Sequence, residues 1–326
     1  MPDPKIRVIV AAEVERFLQY VRVPPDVGIE WIAAADPLPE GDHVGILPLL
    51  SRRIDAEVLD RLPNLAVVAN YAVGYDNIDL DAARARGVAV SNTPDVLTEA
   101  TAEVTWLLML AVSRRLREAE DLARSGAWRA WHPTLLLGME LHGRQLGLLG
   151  AGRIGQAVGR RAVPFGVEIV YWDKLAQPEF EAEVGARRIE SLGEILATSD
   201  VISIHVQLSA ETRGLIGQAE LAGMKQGAIL INSARGGIVD EDALCGALES
   251  GRLRGAGLDV YEREPAIRDC LKPLDNVVLL PHIGSATDDT RRRMFELAWS
   301  NLMRGVRGEP LLTPVLEAEQ GLGSDA

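Results

Sequence analysis

The sequence predicts an α/β protein built from two doubly wound parallel-sheet domains. Short apolar runs alternate with helical patterns along almost the whole chain, and strands joined through helices lie parallel. The alternation breaks once, after Pro94, where a long helical stretch begins. A glycine-rich segment, Gly150–Gly155, then follows an apolar run, opens a helix and starts a second series of strands. At about 150 residues per domain, the chain of 326 residues has room for two.

In the first block, Ile6–Val10 has the continuous apolar pattern of a buried strand, and Glu13–Tyr20 a helical one. His43–Leu49 and Leu65–Asn70 read as the next strands, with Asp55–Arg61 helical between them. Asp81–Arg86 is a short helix stopped by Gly87, and strand Val88–Asn92 follows. From Val96 to Ser125 the pattern is helical without a breaker, with Thr98, Thr101 and Glu103 in its first turns. Such a helix fits either a connector between domains or a core helix.

The second block opens with the strand that runs into Gly150, then helix Arg153–Val163 and strand Val167–Trp172. A helix near Ser191–Ala197 has capping-box spacing between Ser191 and Glu194. Strands Val201–Val206 and Ala228–Asn232, helix Glu241–Ser250 ended by Gly251, and strands Ala256–Tyr261 and Asn276–Leu280 complete it. Six strands over about 140 residues is the size of a dinucleotide-binding domain with two mononucleotide halves. Helix Asp288–Arg304 leaves this domain, and the Gly- and acid-rich tail after Leu312 is expected to fray. The domains so predicted are 1–97 with 288–326, and 98–287.

Composition narrows the function. Asp and Glu number 47 against 34 Lys and Arg, a net charge of −13, which argues against broad binding to nucleic acid or an anionic membrane. An anionic substrate would therefore need local positive charge to override the global field. The longest apolar stretches, such as Val104–Ser113, fall short of the ~20 residues that span a bilayer, and the N-terminus has no signal-peptide pattern. Cys245 and Cys270 make neither a disulfide framework nor a metal-ligand cluster; they read as separate packing or surface thiols in a reducing cytoplasm, and no metal site is expected.

Gly150-Ala151-Gly152-Arg153-Ile154-Gly155 has the form G-x-G-x-x-G. With 31 glycines in the chain the pattern alone is weak, and its context carries it. It stands between a strand and a helix, and an acidic residue, Asp173, ends the next strand 18 residues past Gly155. Gly150 permits a tight turn, Gly152 a close approach of backbone to pyrophosphate, and Gly155 close helix packing; the helix N-terminus offers N–H groups to phosphate. A carboxylate at position 173 accepts the ribose hydroxyls of NAD and repels the 2′-phosphate of NADP, although the adjacent Lys174 works against that repulsion.

Sites in such folds form beyond the carboxyl ends of the strands. Arg235, Glu264 and His282 each follow a predicted strand of the second block. A guanidinium binds a carboxylate and polarises a neighbouring carbonyl. An imidazolium protonates a forming alkoxide, and a carboxylate behind it orients the ring and favours its charged form. Taken singly, each residue has an ordinary structural reading; three at the strand ends of one dinucleotide fold favour chemistry. Of the other histidines, His205 ends a strand near the expected cofactor, His43 and His142 read as structural, and His132 lies in an aromatic-rich segment that is either a packed loop or a cap over an apolar pocket.

With these residues in place, the chain resembles the D-isomer-specific 2-hydroxyacid dehydrogenases, most closely their glyoxylate/hydroxypyruvate reductase branch. The resemblance covers about residues 40–312 and rests on Asn70–Leu80, Gly143–Gly166, Ile231–Leu244, Gly255–Pro265, Leu279–Thr287 and Trp131–Pro133. It implies two Rossmann-like domains, with the nucleotide domain inserted into a substrate domain made from the two ends of the chain. It also implies Arg235, Glu264 and His282 as the catalytic triad, and Val73 and Gly74 as a backbone loop that binds the substrate carboxylate beside Arg235. Cofactor contacts are implied for Thr101, Gly150, Gly152, Arg153, Ile154, Gly155, Asp173, Ala234, Asp259 and Gly284. The family is dimeric through its nucleotide domains, which would send Trp131 to a partner's active site. Two departures stand out: His205-Val206-Gln207-Leu208 replaces a usual Pro-containing segment, and Asp173 replaces the Arg or Ser of several NADPH-preferring members.

The function implied is reduction of a small 2-oxoacid, glyoxylate or hydroxypyruvate, to the D-2-hydroxy acid with NADH. NADP remains possible as cofactor. The alternatives are 3-phosphoglycerate dehydrogenase, with Arg52 or Arg53 gripping the phosphate, phosphite dehydrogenase, and an NAD-sensing corepressor-like binding protein.

Overall fold

The computed structural model describes residues 5–316. The chain forms two compact units, residues 1–97 with 286–326, and residues 98–285. No helix among the described residues is long and apolar enough to cross a membrane.

The first unit is built on a six-stranded sheet in the order Pro314–Leu316, Ala89–Ser91, Val67–Ala69, Gly45–Leu47, Ile6–Ala11, Val27–Ile32. The first of these is antiparallel to its neighbour and the other pairings are parallel. The five parallel strands follow the flavodoxin-like order 2-1-3-4-5. Ile9, Ile46, Leu59, Val68 and Val90 lie at its core. Helices Ala56–Arg61 and Leu80–Ala85 start where Asp55 and Asp79 accept the N–H groups of Val58 and Ala82. Ala12–Tyr20 is a 3-10 helix that buries Val14 and Phe17. Strand Val27–Ile32 escapes the sequence analysis because it lies at the sheet edge, half-buried beyond Val27, with Glu30 interrupting its apolar pattern.

The tail corrects one expectation. Residues 314–316 pair with Ala89–Ser91, and Asn301 accepts the N–H groups of Leu312 and Thr313 at 2.8 and 3.2 Å. These long-range bonds hold a segment whose composition reads as loose; the rest of the predicted frayed tail, 317–326, lies outside the described residues.

The second unit carries a seven-stranded parallel sheet in the order Val277–Leu279, Gly255–Leu258, Ile229–Asn232, Val201–Ile204, Gln145–Leu149, Glu168–Trp172, Arg187–Arg188. Numbered along the chain and read from its far end this is 3-2-1-4-5-6 with a seventh strand added, the order of dinucleotide-binding folds. The two-residue strand Arg187–Arg188 is too short and too polar to be read from the sequence.

Two further expectations are corrected here. The long helix is two helices, Thr98–Ser113 and Leu116–Arg124, with Arg115 between them at φ 53°. The N–H of Met139 takes the carbonyl of Ser113 at 2.8 Å, so that oxygen no longer serves the next helical turn. The first helix is a core helix: Trp106 donates to Val158 O at 3.0 Å and Leu108 packs where Gly257 leaves room. Cys245 and Cys270 are not separate thiols but a disulfide, with Cα atoms 6.0 Å apart. Helix Glu241–Glu249 and the loop after Tyr261 pack side by side, a proximity that spacing in the sequence does not reveal.

Candidate active site

The glycine loop joins strand Gln145–Leu149 to helix Arg153–Ala162. Gly150 has φ +99°, and a Cβ there would lie 2.8 Å from the backbone carbon of His205. A Cβ on Gly155 would lie 2.2 Å from Gly150 O, so helix and loop touch through both glycines. Gly152, at the helix N-cap, faces open space: a Cβ there would meet nothing within 4 Å. An open, glycine-lined helix N-terminus fits a pyrophosphate, and Arg153 and Ile154 begin that helix.

Asp173, at the end of strand Glu168–Trp172, is half-buried beside this loop. Its carboxylate accepts Ala151 N–H at 2.8 Å and Leu175 N–H at 3.2 Å. Lys174 is paired with Glu211. Arg188, which no motif marks in the sequence, donates to the carbonyls of Asp173 and Lys174, both at 3.0 Å. His205 lies under the loop with Nε2 2.8 Å from Ser203 Oγ, and burial pushes its pKa down to about 3, so it is neutral at physiological pH.

The three predicted catalytic residues stand in one unit. His282 Nδ1 is 2.7 Å from Glu264 Oε2, and Tyr261 N–H donates to Glu264 Oε1 at 3.1 Å. Burial raises the Glu264 pKa, but the hydrogen bond and charge of His282, the Tyr261 N–H and the charge of Arg235 outweigh it and hold the carboxyl below its usual range. His282 has φ +54°, a conformation uncommon outside glycine and costing on the order of 1–3 kcal/mol. The turn is fixed by buried Asp259, which accepts the N–H groups of Ile283 and Gly284, both at 2.7 Å. Burial pushes Asp259 above the usual carboxylate range against those bonds. A Cβ on Gly284 would be 3.5 Å from Thr101 Cγ2, so Thr101, Asp259 and Gly284 are brought together.

Arg235 begins a tight turn after strand Ile229–Asn232. Asn232 donates to Arg235 O at 2.9 Å and accepts Ala234 N–H at 3.1 Å, while Arg235 Nη1 donates to Ala234 O at 2.8 Å. Gly236 lies against the loop that carries Glu264: a Cβ there would sit 1.8 Å from the Tyr261 carbonyl carbon. Only glycine lets the turn of Arg235 approach the loop of Glu264 so closely.

In the first unit, Val73 and Gly74 follow strand Val67–Ala69 and are half-buried. Their N–H groups donate to no group among the described residues. Trp131 is 78% exposed. The described residues hold no cluster of His, Cys, Asp or Glu fit for a metal ion.

Comparison with known proteins follows the same lines. Residues 106–284 match the model of the D-isomer specific 2-hydroxyacid dehydrogenase NAD binding domain. The chain is 47% identical over 301 residues to the glyoxylate reductase of Thermococcus gammatolerans, covering 91% of this chain and 87% of that one. It is 51% identical over 272 residues to the glyoxylate reductase of Thermococcus onnurineus, covering 82% and 81%. The crystal structure of an NADPH-dependent glyoxylate/hydroxypyruvate reductase of Sinorhizobium meliloti, in complex with NADP and malonate, superposes with a TM-score of 0.86 at 35% identity, covering 95% of this chain and 97% of that one. The fold and these matches define an NAD(P)-dependent dehydrogenase acting between a 2-oxoacid and a 2-hydroxy acid. The chain belongs to the D-isomer-specific 2-hydroxyacid dehydrogenase family.

Proposed function

We propose that the chain reduces a small 2-oxoacid, glyoxylate or hydroxypyruvate, to the D-2-hydroxy acid, with NADH preferred. The observation that carries this reading is the His282–Glu264 pair at 2.7 Å in the same unit as Arg235. The reduced nicotinamide, when bound, supplies the hydride that goes to C2 of the substrate. Arg235 grips the carboxylate and polarises the carbonyl. The N–H groups of Val73 and Gly74 donate to the same carboxylate. His282 delivers the proton to the forming alkoxide, and Glu264 orients the ring and balances its charge. Gly150, Gly152, Arg153, Ile154 and Gly155 would hold the pyrophosphate, Asp173 the adenine ribose, and Thr101, Ala234, Asp259 and Gly284 the nicotinamide end. Residues 98–285 would thus be the nucleotide domain and the other unit the substrate domain.

A phosphorylated substrate is less well served. Arg52 Nη2 donates to the carbonyls of Ala33, Ala34 and Asp36 at 2.7, 2.9 and 2.8 Å, and Arg53 is paired with Asp55 at 3.3 Å. Both cations named for phosphate binding are already engaged. Six large apolar side chains between Leu107 and Leu137, Trp131 among them, are exposed. This run of exposed apolar residues within one stretch of the chain supports a homodimer through the nucleotide domain, with Trp131 contributed to a partner. A dinucleotide recycled inside the cell supports a cytoplasmic location. The test is a sweep of 2-oxoacids with NADH and with NADPH. Rapid turnover of glyoxylate or hydroxypyruvate with NADH is expected, and no turnover of any 2-oxoacid would overturn the reading.

A further inference from the structure

We propose that Asn92, supported by Asn70 and Asn77, is a positioning residue that aims the backbone N–H of Gly74 at the substrate carboxylate. The inference rests on the 2-oxoacid reading above. The segment from Asn70 to Asp79 lies between strand Val67–Ala69 and helix Leu80–Ala85 and has no regular structure to orient its peptide planes. Neighbouring groups orient them instead. Thr93 N–H donates to Ala72 O at 2.8 Å. Asn92 Nδ2 donates to Val73 O, also at 2.8 Å. Asn70 Nδ2 donates to Gly74 O at 2.9 Å.

In a trans peptide, C=O and the following N–H point in opposite directions. Capturing Ala72 O therefore turns the N–H of Val73 the other way, and capturing Val73 O does the same for Gly74. The N–H groups of Val73 and Gly74 donate to nothing among the described residues, and neither do those of Ala72, Tyr75 and Asn77; Val73 and Gly74 are the pair whose peptide planes are set by hydrogen bonds from residues 92 and 93. Two adjacent, outward-turned N–H groups make an anion-binding concavity. The donors are oriented before any ligand arrives, so binding an anion costs little reorganisation.

The clamp is itself braced. The buried Asn70 amide forms a reciprocal pair with Asn77, each Nδ2 donating to the other's Oδ1 at 3.2 Å. Asn77 also donates to Arg52 O at 3.0 Å. Every amide hydrogen of Asn70 is used, one on Asn77 and one on Gly74. A carboxylate in place of any of these amides would meet a carbonyl without a proton between them.

The test uses the full chain with Asn92→Ala and the nearly isosteric Asn92→Asp. Neither change touches the backbone of Asn92, whose carbonyl accepts Thr313 Oγ1 at 2.6 Å, so the link to the tail strand persists. The glyoxylate KM should rise about tenfold in Asn92→Ala, as for weakening of one charge-assisted hydrogen bond, and further in Asn92→Asp. The inhibition constant of oxalate should rise by the same factor. The kcat should stay within about threefold and the NADH dissociation constant, from nicotinamide fluorescence, should not move. An unchanged KM and oxalate constant in the folded variants would overturn the proposal. So would a loss confined to kcat or to NADH binding. Failure of wild type to reduce any 2-oxoacid would instead overturn the functional reading beneath it.

Discussion

Nδ1 of His282 lies 2.7 Å from Oε2 of Glu264, and the second oxygen of that carboxylate accepts the Tyr261 N–H at 3.1 Å. The carboxylate is thus held by backbone on one side and holds the imidazole on the other. With Nδ1 engaged, Nε2 is the ring nitrogen that the proposed proton transfer would use. The Asp259 carboxylate secures the same ring from behind, by taking the N–H groups of the two residues after His282.

The first prediction concerns the proton donor. His282→Ala should lower kcat for glyoxylate reduction by about 10²–10⁴-fold, the range for loss of a general acid. NADH affinity should stay near wild type, because the glycine loop and Asp173 are untouched. Steady-state kinetics with a fluorescence titration of NADH check both halves. Near-normal turnover would remove His282 from the mechanism.

The second concerns Glu264. In Glu264→Gln the carboxylate that accepts from Nδ1 of His282 becomes a neutral amide and the ring loses the partner that orients it, so kcat for glyoxylate reduction should fall by about tenfold or more while NADH affinity holds. Stability gives a separate readout. The folded-state pKa of Glu264 is depressed, so its contribution is present above the ordinary carboxylate value and lost as pH falls through the folded one. Wild type should therefore exceed Glu264→Gln in denaturant midpoint at pH 7, with the gap closing as pH drops below the usual carboxylate range. An unchanged kcat would mean that the two side chains do not communicate.

A third prediction follows from the disulfide. Cys245 and Cys270 are separated by 25 residues, and in the chain-entropy account a loop of that size stabilises by about 3 kcal/mol. Cys245→Ser, or reduction of wild type, should lower the urea midpoint accordingly. Activity at 25 °C should change little, because Glu264 keeps His282 and Tyr261, and Glu241 still accepts the N–H of Glu262 at 2.7 Å. Equal midpoints for oxidised and reduced protein would show that the bond carries no stability.

The sequence makes some of this legible because local chemistry marks it. The glycine loop, strand-end Asp173 and the apolar runs of the second sheet announce themselves through spacing and periodicity. What stays hidden depends on partners distant in sequence. Gly236 matters only because Tyr261 passes against it, and the cysteine pair only because helix Glu241–Glu249 lies beside the loop of Glu264. The break at Arg115 follows from Met139 capturing a carbonyl, and the tail strand from Asn301. Arg188 stands beside Asp173 only because a two-residue strand adds to the sheet edge.

The last prediction is cofactor choice, where that edge decides the matter. Asp173 presents a carboxylate at the end of the second strand of the sheet, where the adenine ribose would lie. Its oxygens already accept Ala151 and Leu175 N–H groups, which fix its orientation and leave lone pairs for the ribose hydroxyls. The two nearby cations are committed, Lys174 to Glu211 and Arg188 to the carbonyls of Asp173 and Lys174. Lys174 would have to leave Glu211 to reach a 2′-phosphate, and Arg188 is anchored on backbone carbonyls, which leaves the Asp173 carboxylate to set the local preference. Wild type should therefore prefer NADH in kcat/KM. Asp173→Ser should shrink that preference and Asp173→Arg should reverse it, by about 1–3 kcal/mol, since a hydrogen-bonding carboxylate is lost and a repulsion relieved. The check is kcat/KM for both cofactors with glyoxylate, in wild type and both variants. A wild type that prefers NADPH would mean that Lys174 or Arg188 leaves its partner for the phosphate, and the assignment of Asp173 as the discriminating residue would fall.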